Sequence, residues 1–221
     1  MMRTDQTEGT ARGFDALRKF ARKPERRVEH CELCHGELFH EHPHLVELTQ
    51  RRIICSCEAC AMLFTGRVGS KYQRVPRQVR LLADFRMTDA EWDGLMIPIN
   101  LAFFFQSSAD SRVSALYPSP AGATESLLPL AAWNNIVESN LVLKGLEPDV
   151  EALLVNRVGQ ARGNAPAEYY MVPIDACYKL VGLIRLHWKG FSGGTEVWQE
   201  IGKFFSELRS TALIVNERVH A

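Results

Sequence analysis

The spacing of apolar residues along the chain alternates between the patterns of strands and helices. Short apolar runs bounded by turn residues are typical of buried strands. The predicted strands cover residues 45–48, 52–56, 97–105, 113–117 and 150–155, and residues 72–82 look extended, with Pro76 favouring a sheet edge. The segment PSPAGATES, at 118–126, is rich in turn residues and predicts a surface loop.

Helical periodicity is clearest in the last quarter of the chain. The first predicted helix there follows Asp175 as its N-cap, and its apolar stripe consists of Cys177, Leu180, Val181, Ile184 and Trp188. A glycine-rich break precedes a second helix, for which Thr195 is the predicted N-cap. Upstream, residues 88–91 have the capping-box pattern of a helix start, and residues 130–139 predict another helix.

These elements predict an α+β fold divided into three parts. Residues 1–27 are expected to be a flexible N-terminal segment with a short helix at 14–21. Residues 28–65 hold a cysteine cluster, and residues 66–221 form a mixed α+β domain that ends in a helical hairpin. Apolar residues make up 46% of the chain, which is enough for a sizeable core.

Five of the six cysteines and five of the seven histidines fall within residues 28–63. The pairs Cys31/Cys34 and Cys57/Cys60 are separated by 22 residues, close to the spacing of a two-knuckle zinc ribbon. Each pair presents two thiolates from a tight turn, and the predicted hairpin between the pairs brings the turns together. The spacing therefore predicts a closed four-thiolate metal site, which would stabilise a module too small to fold on its core alone.

Four thiolates suit both zinc and iron. Zinc is the usual ion of a structural ribbon. A rubredoxin-like iron site usually has glycine or another small residue directly after each cysteine pair, and His35-Gly36 and Ala61-Met62 fit that pattern only in part. Zinc is therefore the predicted ion and iron the alternative.

The other two cysteines have different expected roles. Cys55 and Cys57 would point to the same face of a strand, so a fifth thiol approaches the site. We expect Cys55 to be a core cysteine. The alternative is that it is an auxiliary ligand of the metal site. Cys177 lies on an apolar helical stripe and is predicted to be a core residue.

Three histidines alternate along the segment between the two pairs. On an extended strand His40, His42 and His44 would share one face, a geometry that can bind Zn²⁺ or Ni²⁺. Pro43 interrupts such a strand, so we interpret these histidines as solvated loop residues, with a second metal site as the less favoured interpretation.

Charge is balanced overall, with 26 basic and 26 acidic residues, but it is unevenly spread. Residues 66–86 carry six basic side chains against one aspartate, and residues 87–156 carry nine acids against two basic side chains. Two differently charged solvated faces explain this simply. The alternative is a partner-binding or nucleic-acid surface formed by Arg67, Lys71, Arg74, Arg77 and Arg80.

No motif in the sequence indicates catalysis. Residues 190–194 match the G-x-S-x-G pattern, but only 27 residues follow, too few for the acid and histidine of a hydrolase. An interhelical turn is the better interpretation. No hydrophobic run is long enough to span a membrane, and the N-terminus has no secretory pattern, so we expect a cytoplasmic protein without membrane insertion.

Several segments together resemble an uncharacterised bacterial family of unknown function. They are CELCHGEL, ICSCEACAMLF, LMIPINLAFFF, ALYPSPAGATESLLP, LEPDVEALLVNR and YKLVGLIRLHWKGFSGGTEVWQEIGKFF. The resemblance extends over residues 28–208 and includes the family's cysteine motif, which Cys31, Cys34, Cys55, Cys57 and Cys60 match. Members are often encoded beside the genes of uptake nickel–iron hydrogenases, notably in actinobacteria.

The resemblance implies an association with hydrogenase and carries no catalytic residues. The first expectation is a non-enzymatic, metal-binding accessory protein that contacts a hydrogenase subunit or maturation factor. The second is a rubredoxin-like iron protein for electron transfer or redox protection. The hydrogenase context makes iron nearly as favoured as zinc at the four-cysteine site. A nucleic-acid-binding ribbon regulator is the third, and it lacks a recognition-helix pattern and interleaved aromatic residues.

Overall fold

A computed structural model describes residues 28–67, 69–127, 129–161, 163, 165–190 and 193–216. The helix predicted at residues 14–21 lies outside these residues. The described chain is a mixed α+β fold with two β-sheets and six α-helices.

The larger sheet has seven strands, which are β4 (Arg80–Leu82), β5 (Leu101–Ser107), β6 (Arg112–Ser119), β7 (Gly122–Ser126), β8 (Glu151–Asn156), β9 (Glu168–Pro173) and β10 (Leu213–Val215). Their order across the sheet is β10-β4-β9-β8-β5-β6-β7. Neighbouring strands are antiparallel except β10, which runs parallel to β4. Strands that follow one another in the chain pair in β5–β6, β6–β7 and β8–β9, whereas β5–β8, β4–β9 and β10–β4 join strands that are distant in sequence.

Six α-helices and one 3₁₀-helix accompany the sheets. They are α1 (Glu58–Phe64), α2 (Asp89–Gly94), α3 (Leu130–Ser139), the 3₁₀-helix Leu141–Gly145, α4 (Val158–Ala161), α5 (Ile174–His187) and α6 (Gly194–Thr211). Within the described part of the chain, no helix has both the length and the apolar character needed to cross a membrane.

The central strands of the larger sheet are buried on both faces. Along β8, Ala152 and Leu154 pack with the apolar faces of α5 and α6, whereas Leu153 and Val155 pack on the opposite side with residues of α2 and α3. Successive side chains of a strand point to opposite faces, so continuous apolar runs are what a sheet covered on both sides requires. The result is a sheet between two helical layers.

The smaller sheet has three strands in the order β2-β1-β3: β1 (His44–Glu47), β2 (Arg52–Cys55) and β3 (Tyr72–Arg74). β1 pairs antiparallel with both neighbours. Val46 and Val75 join the apolar core on the α5–α6 side of the larger sheet. The Gln73 side chain also donates a hydrogen bond of 2.9 Å to Glu147, so the smaller sheet packs directly against the larger domain.

Several sequence predictions are confirmed. Strands β1 and β2 lie where the hairpin was expected, and α3 has the predicted bounds 130–139. Thr88 and Glu91 form the reciprocal hydrogen bonds of a capping box at the start of α2. The extended segment at 72–82 divides between two sheets, since β3 lies at the edge of the smaller sheet and β4 lies inside the larger one.

The prediction of a surface loop for PSPAGATES is wrong. Pro118 and Ser119 end β6, and β7 begins at Gly122, so most of the segment is a hairpin. Pro118 is tolerated because β6 pairs with β5 only as far as Leu116, and the missing N–H of the proline therefore costs no hydrogen bond to β5.

Both predicted caps of the C-terminal helices are also wrong. Helix α5 begins at Ile174, so Asp175 lies in its first turn. Helix α6 begins at Gly194 after Gly193, whose φ of +84° favours glycine. A Cβ on Gly193 would lie 2.8 Å from a methyl group of Val197. The two helices pack together as expected, but the described chain continues into β10 after the helical pair.

Candidate metal centre

The first cysteine pair lies in a tight turn closed by backbone hydrogen bonds. The N–H of His35 donates to the carbonyl oxygen of Cys31, and the N–H of Cys31 donates to the carbonyl oxygen of Gly36, each over 2.8 Å. His35 has a φ of +62° at the end of this turn. The turn therefore directs Cys31 and Cys34 toward a common point.

The second pair is placed by a helix start. Cys57 is the N-cap of α1, and its Sγ accepts a hydrogen bond from the N–H of Cys60 at 3.4 Å. The two turns are also tied together, because Glu32 and Cys55 exchange hydrogen bonds of 2.9 Å that involve both of their backbone N–H groups. The hairpin β1–β2 and helix α1 thus bring the second pair to the first.

The four cysteine ligands predicted from the spacing converge. The Sγ atoms of Cys31, Cys34, Cys57 and Cys60 all lie within 4.8 Å of one another. The Sγ atoms of Cys34 and Cys57 are 3.7 Å apart. Two sulfurs bound tetrahedrally at about 2.3 Å from one ion would be separated by about 3.8 Å, whereas a disulfide requires about 2.05 Å. The six cysteines of the chain are free thiols. The cluster is therefore close enough to hold a metal ion.

The four thiols differ in burial and in pKa. Cys31 and Cys60 are buried, and Cys34 is exposed. Burial acts to raise the pKa of Cys31, but hydrogen bonds from the backbone N–H groups of Cys57, Cys34 and Leu33 outweigh it and lower the pKa to about 6. Burial, together with hydrogen bonds among the neighbouring thiols, raises the pKa of Cys60 to about 12. Metal binding would therefore have to displace protons from the cluster.

The two remaining cysteines lie elsewhere. Cys55 is outside the four-thiol cluster, and its Sγ lies with the side chains of His42 and His44. Burial and the nearby acidic groups of Glu29 and Glu32 raise the pKa of its thiol. Cys177 is fully buried among apolar residues of α5, as predicted, and burial raises its pKa well above the ordinary value.

Three of the five basic residues singled out from the sequence pair with carboxylates. Lys71 pairs with the nearly buried Glu47 at 2.7 Å, Arg74 with Glu58 at 2.7 Å, and Arg80 with Glu151 at 2.5 Å. In the described parts of the chain, Arg67 and Arg77 are exposed and have no carboxylate partner. Most of the local positive charge is therefore neutralised within the protein.

An exposed apolar patch beside the cluster was not recognised from the sequence. Met62, Leu63 and Phe64, in the last turn of α1, are all exposed, although Cys60 and Ala61 just before them are buried. The three residues follow the second cysteine pair directly and have no polar residue among them. This run of three apolar residues is the sequence feature that could have indicated a contact surface.

An apolar cavity lies away from the four-cysteine cluster. It has a volume of about 390 Å³ and is lined mainly by apolar residues of the loop before β5, of β6 and of helices α5 and α6, among them Pro98, Tyr117, Ile184, Trp188 and Trp198. It contains none of the residues predicted to bind metal or a partner.

Comparisons with known proteins give one match. The sequence model of a protein family described as "Family of unknown function (DUF5947)" matches residues 30–212, which include both cysteine pairs and nearly the whole described fold. Comparison with curated proteins and with solved structures gave no significant match.

Proposed function

The chain belongs to the DUF5947 family of unknown function, and we propose that it is a non-catalytic accessory protein in which Cys31, Cys34, Cys57 and Cys60 bind a structural Zn²⁺. The observation that carries this proposal is the convergence of four thiols within 4.8 Å of one another. A zinc ion there would join the turn of residues 31–36, the end of β2 and the start of α1.

The smaller sheet has little apolar core of its own to replace such an ion. Its separate cluster of buried residues consists of Leu45, Ile54 and Ala61. Burial of an aliphatic side chain contributes about 1.5–3 kcal/mol, and ordering each residue costs about 1–2 kcal/mol, so three buried residues cannot stabilise a module of this length. A structural zinc site contributes folding free energy directly.

A closed four-thiolate site also offers no position for catalysis. Four cysteine ligands complete the tetrahedral shell of zinc and leave no position for a water molecule or a substrate. Such a site stabilises the local fold and thereby the surface that binds another protein. We therefore assign the functional role of this module to protein–protein contact.

The partner we propose is a subunit or maturation factor of an uptake nickel–iron hydrogenase, in the cytoplasm. The family resemblance suggests this partner, and free thiols suit a reducing compartment. The exposed residues Met62, Leu63 and Phe64 supply an apolar contact next to the zinc site. The ion pairs of Lys71, Arg74 and Arg80 argue against a nucleic-acid-binding regulator.

A rubredoxin-like iron centre is the second candidate. Cys34 is exposed, so an iron ion at this cluster would lie close to the surface, where electron exchange with a partner is efficient. Backbone N–H groups that bond to the Cys31 sulfur would tune the potential of such an ion. This candidate uses the same four ligands and differs in the ion.

Elemental analysis and an absorption spectrum of the untagged, full-length protein separate the candidates. We expect at least one zinc per chain and no iron–thiolate bands. The Cys60→Ser variant should lose this zinc, and Cys177→Ala, which removes a cysteine outside the cluster, should retain it. Iron with bands that bleach on reduction would establish the second candidate, and a metal-free protein with reactive thiols would overturn both.

Co-purification tests the partner. Tagged protein expressed at its natural level should retain a hydrogenase subunit or maturation factor, and Leu63→Asp should lose that partner while keeping its zinc. Phe39→Asp changes another exposed apolar residue of the module and serves as the control. If no hydrogenase component co-purified with the wild-type protein, the proposed partner would be contradicted.

A further inference from the structure

A second group of metal-ligand side chains lies beside the four-cysteine cluster. His42, His44 and Cys55 each offer one ligand atom, and these atoms lie within 4.8 Å of one another. None of the three belongs to the closed cluster, and the buried residue Ser56 separates Cys55 from Cys57. The group is therefore a separate candidate site next to the first.

Strand pairing explains why these residues meet. His44 is the first residue of β1, and it lies directly opposite Cys55, the last residue of β2. Opposed residues of an antiparallel pair have Cβ atoms about 4.5–5.5 Å apart. The His42 ring contacts the His44 ring edge to face, with 5.0 Å between the ring centroids. One end of the hairpin thus presents two imidazoles and a thiol together.

Hydrogen bonds fix the same tautomer in both histidines. Nδ1 of His42 lies 2.9 Å from the carbonyl oxygen of Phe39, and Nδ1 of His44 lies 2.6 Å from a carboxylate oxygen of Asp175. These oxygens only accept, so each Nδ1 must carry and donate the proton. In a neutral ring, Nε2 then has a free lone pair, which is the arrangement of a metal-binding histidine.

The second nitrogen of His42 is unsatisfied. The His42 side chain is only 7% exposed, and its Nε2 atom has no hydrogen-bond partner among the residues that the structure describes. A buried polar atom without a partner carries a desolvation penalty. An ion bound between His42, His44 and Cys55 would give this nitrogen its partner.

Asp175 completes the pattern from the larger domain. It lies in the first turn of α5, 131 residues from His44 in sequence, and its carboxylate orients the imidazole. Metal-binding histidines commonly donate their other N–H to a carboxylate in this way. About a third of the His44 side chain is exposed, so an ion could enter from solvent.

We propose that His42, His44 and Cys55 bind a divalent transition-metal ion, with Zn²⁺ the best match to this donor set, and leave its fourth position open. The open position can take a water molecule or a ligand donated by another protein. This site goes beyond the structural role of the four-cysteine cluster, because an ion with three protein ligands can exchange or react.

The same side chains also have the composition of a cysteine nucleophile with a histidine base and an orienting aspartate. The contacts favour a metal site. In the described structure, Cys55 and His44 share no hydrogen bond, which a nucleophile and its base require. His42 would have no role in a nucleophile system, whereas a metal site uses its unpartnered nitrogen.

Cobalt titration of the full-length, untagged protein tests the proposal. The four-cysteine cluster is first filled with one equivalent of Zn²⁺, and Co²⁺ is then added while thiolate-to-cobalt absorption and bound metal are measured. We expect one further equivalent to bind with a charge-transfer band. Cys55→Ala should abolish that band, His42→Ala and His44→Ala should weaken binding at least about tenfold, and Asp175→Asn should weaken it by about tenfold or more.

His40→Ala is the matched control, because His40 is an exposed histidine of the same segment outside the group, and it should leave cobalt binding unchanged. Retention of the first zinc equivalent shows that each variant is folded. The proposal is overturned if no second equivalent binds, or if the Cys55 and histidine variants bind cobalt as the wild type does. Rapid alkylation of Cys55 that His44→Ala slows, without cobalt binding, would identify a nucleophile and also overturn it. Cobalt binding to the wild type that Cys55→Ala abolishes would support this second site even if the four-cysteine cluster held no zinc.

Discussion

The two sheets of this protein differ in how much apolar core they have. The larger sheet is covered on both faces by clusters of 19 and 15 buried residues, whereas the smaller sheet has its own cluster of three. The smaller sheet and its turns instead carry four convergent thiols and a separate group of two histidines and a cysteine. Ser56 lies between Cys57 of the first group and Cys55 of the second. Four thiols that are close enough to hold a metal ion thus lie in the region with the smaller apolar core.

The two sheets also differ in the kinds of side chain they carry. The residues buried in the larger sheet are mostly aliphatic and aromatic, and they leave few groups that could do chemistry. The smaller sheet has the metal-ligand side chains, an exposed apolar patch and a contact to α5 through Asp175. We infer that the larger domain supports the smaller sheet and that the smaller sheet contacts partners and ions.

Removal of metal should produce the largest difference between the two regions. Structural zinc contributes on the order of 10–16 kcal/mol in small zinc modules, more than any one core side chain. A strong chelator with a reductant should therefore expose residues 31–60 to limited proteolysis and leave the strands β5, β8 and β9 intact. Mass spectrometry of the fragments measures this. Uniform cleavage of the whole chain would show that the regions are not independent.

Phe104→Ala should have the opposite pattern. The Phe104 side chain is fully buried and stacks on Trp133, with 5.2 Å between ring centroids. Its truncation should lower the free energy of unfolding by about 3–5 kcal/mol in urea denaturation and leave the metal content unchanged. Phe39→Ala, at an exposed phenylalanine, is the control. Loss of metal from the folded Phe104→Ala protein would contradict independent stabilisation.

Asn140→Ala should have a smaller effect, confined to the larger domain. The Asn140 side chain is buried, donates to the carbonyl oxygens of Arg86 and Ile136, and accepts from the N–H of Arg86. Leaving such groups unsatisfied costs about 1–3 kcal/mol. Thermal unfolding measures the change, with the exposed Asn135→Ala of α3 as the control. Equal melting temperatures for the two variants would refute the role assigned to Asn140.

Gln73→Ala should have the smallest effect, because it removes an exposed contact between the two regions. The hydrogen bond from Gln73 to Glu147 is solvent-accessible, and such substitutions usually change stability by less than about 0.5 kcal/mol. Gln78→Ala, at an exposed glutamine outside this contact, provides the baseline in the same urea titration. A loss above about 1 kcal/mol would mean that polar contacts, and not Val46 and Val75, hold the sheets together.

Local sequence patterns predicted the features that depend on near neighbours. The cysteine pairs, the β1–β2 hairpin, the capping box of α2 and the bounds of α3 follow from spacing and composition over a few residues. The four-thiol cluster belongs to this class, because both turns and the hairpin between them lie within one short segment.

Features that depend on strand register or on distant contacts were missed. Asp175 looked like a helix cap, and its actual partner, His44, lies 131 residues away. The interpretation of the three alternating histidines as solvated loop residues is wrong for His42, whose side chain is 7% exposed, and for His44, which begins β1. The less favoured metal site of His40, His42 and His44 differs from the observed group, because strand register places Cys55 with His42 and His44. The PSPAGATES hairpin was hidden by its loop-like composition, since only the sheet context makes Pro118 acceptable.

Hydrogen exchange followed by mass spectrometry, on the full-length protein with and without its metal, tests the central claim most directly. We predict that metal removal abolishes protection in β2 and in the two cysteine turns, while the amides of β8 and β9 keep their slow exchange. Equal loss of protection in β8 and β9, or unchanged protection in β2, would contradict the division of the protein into a metal-stabilised sheet and a domain stabilised by apolar burial.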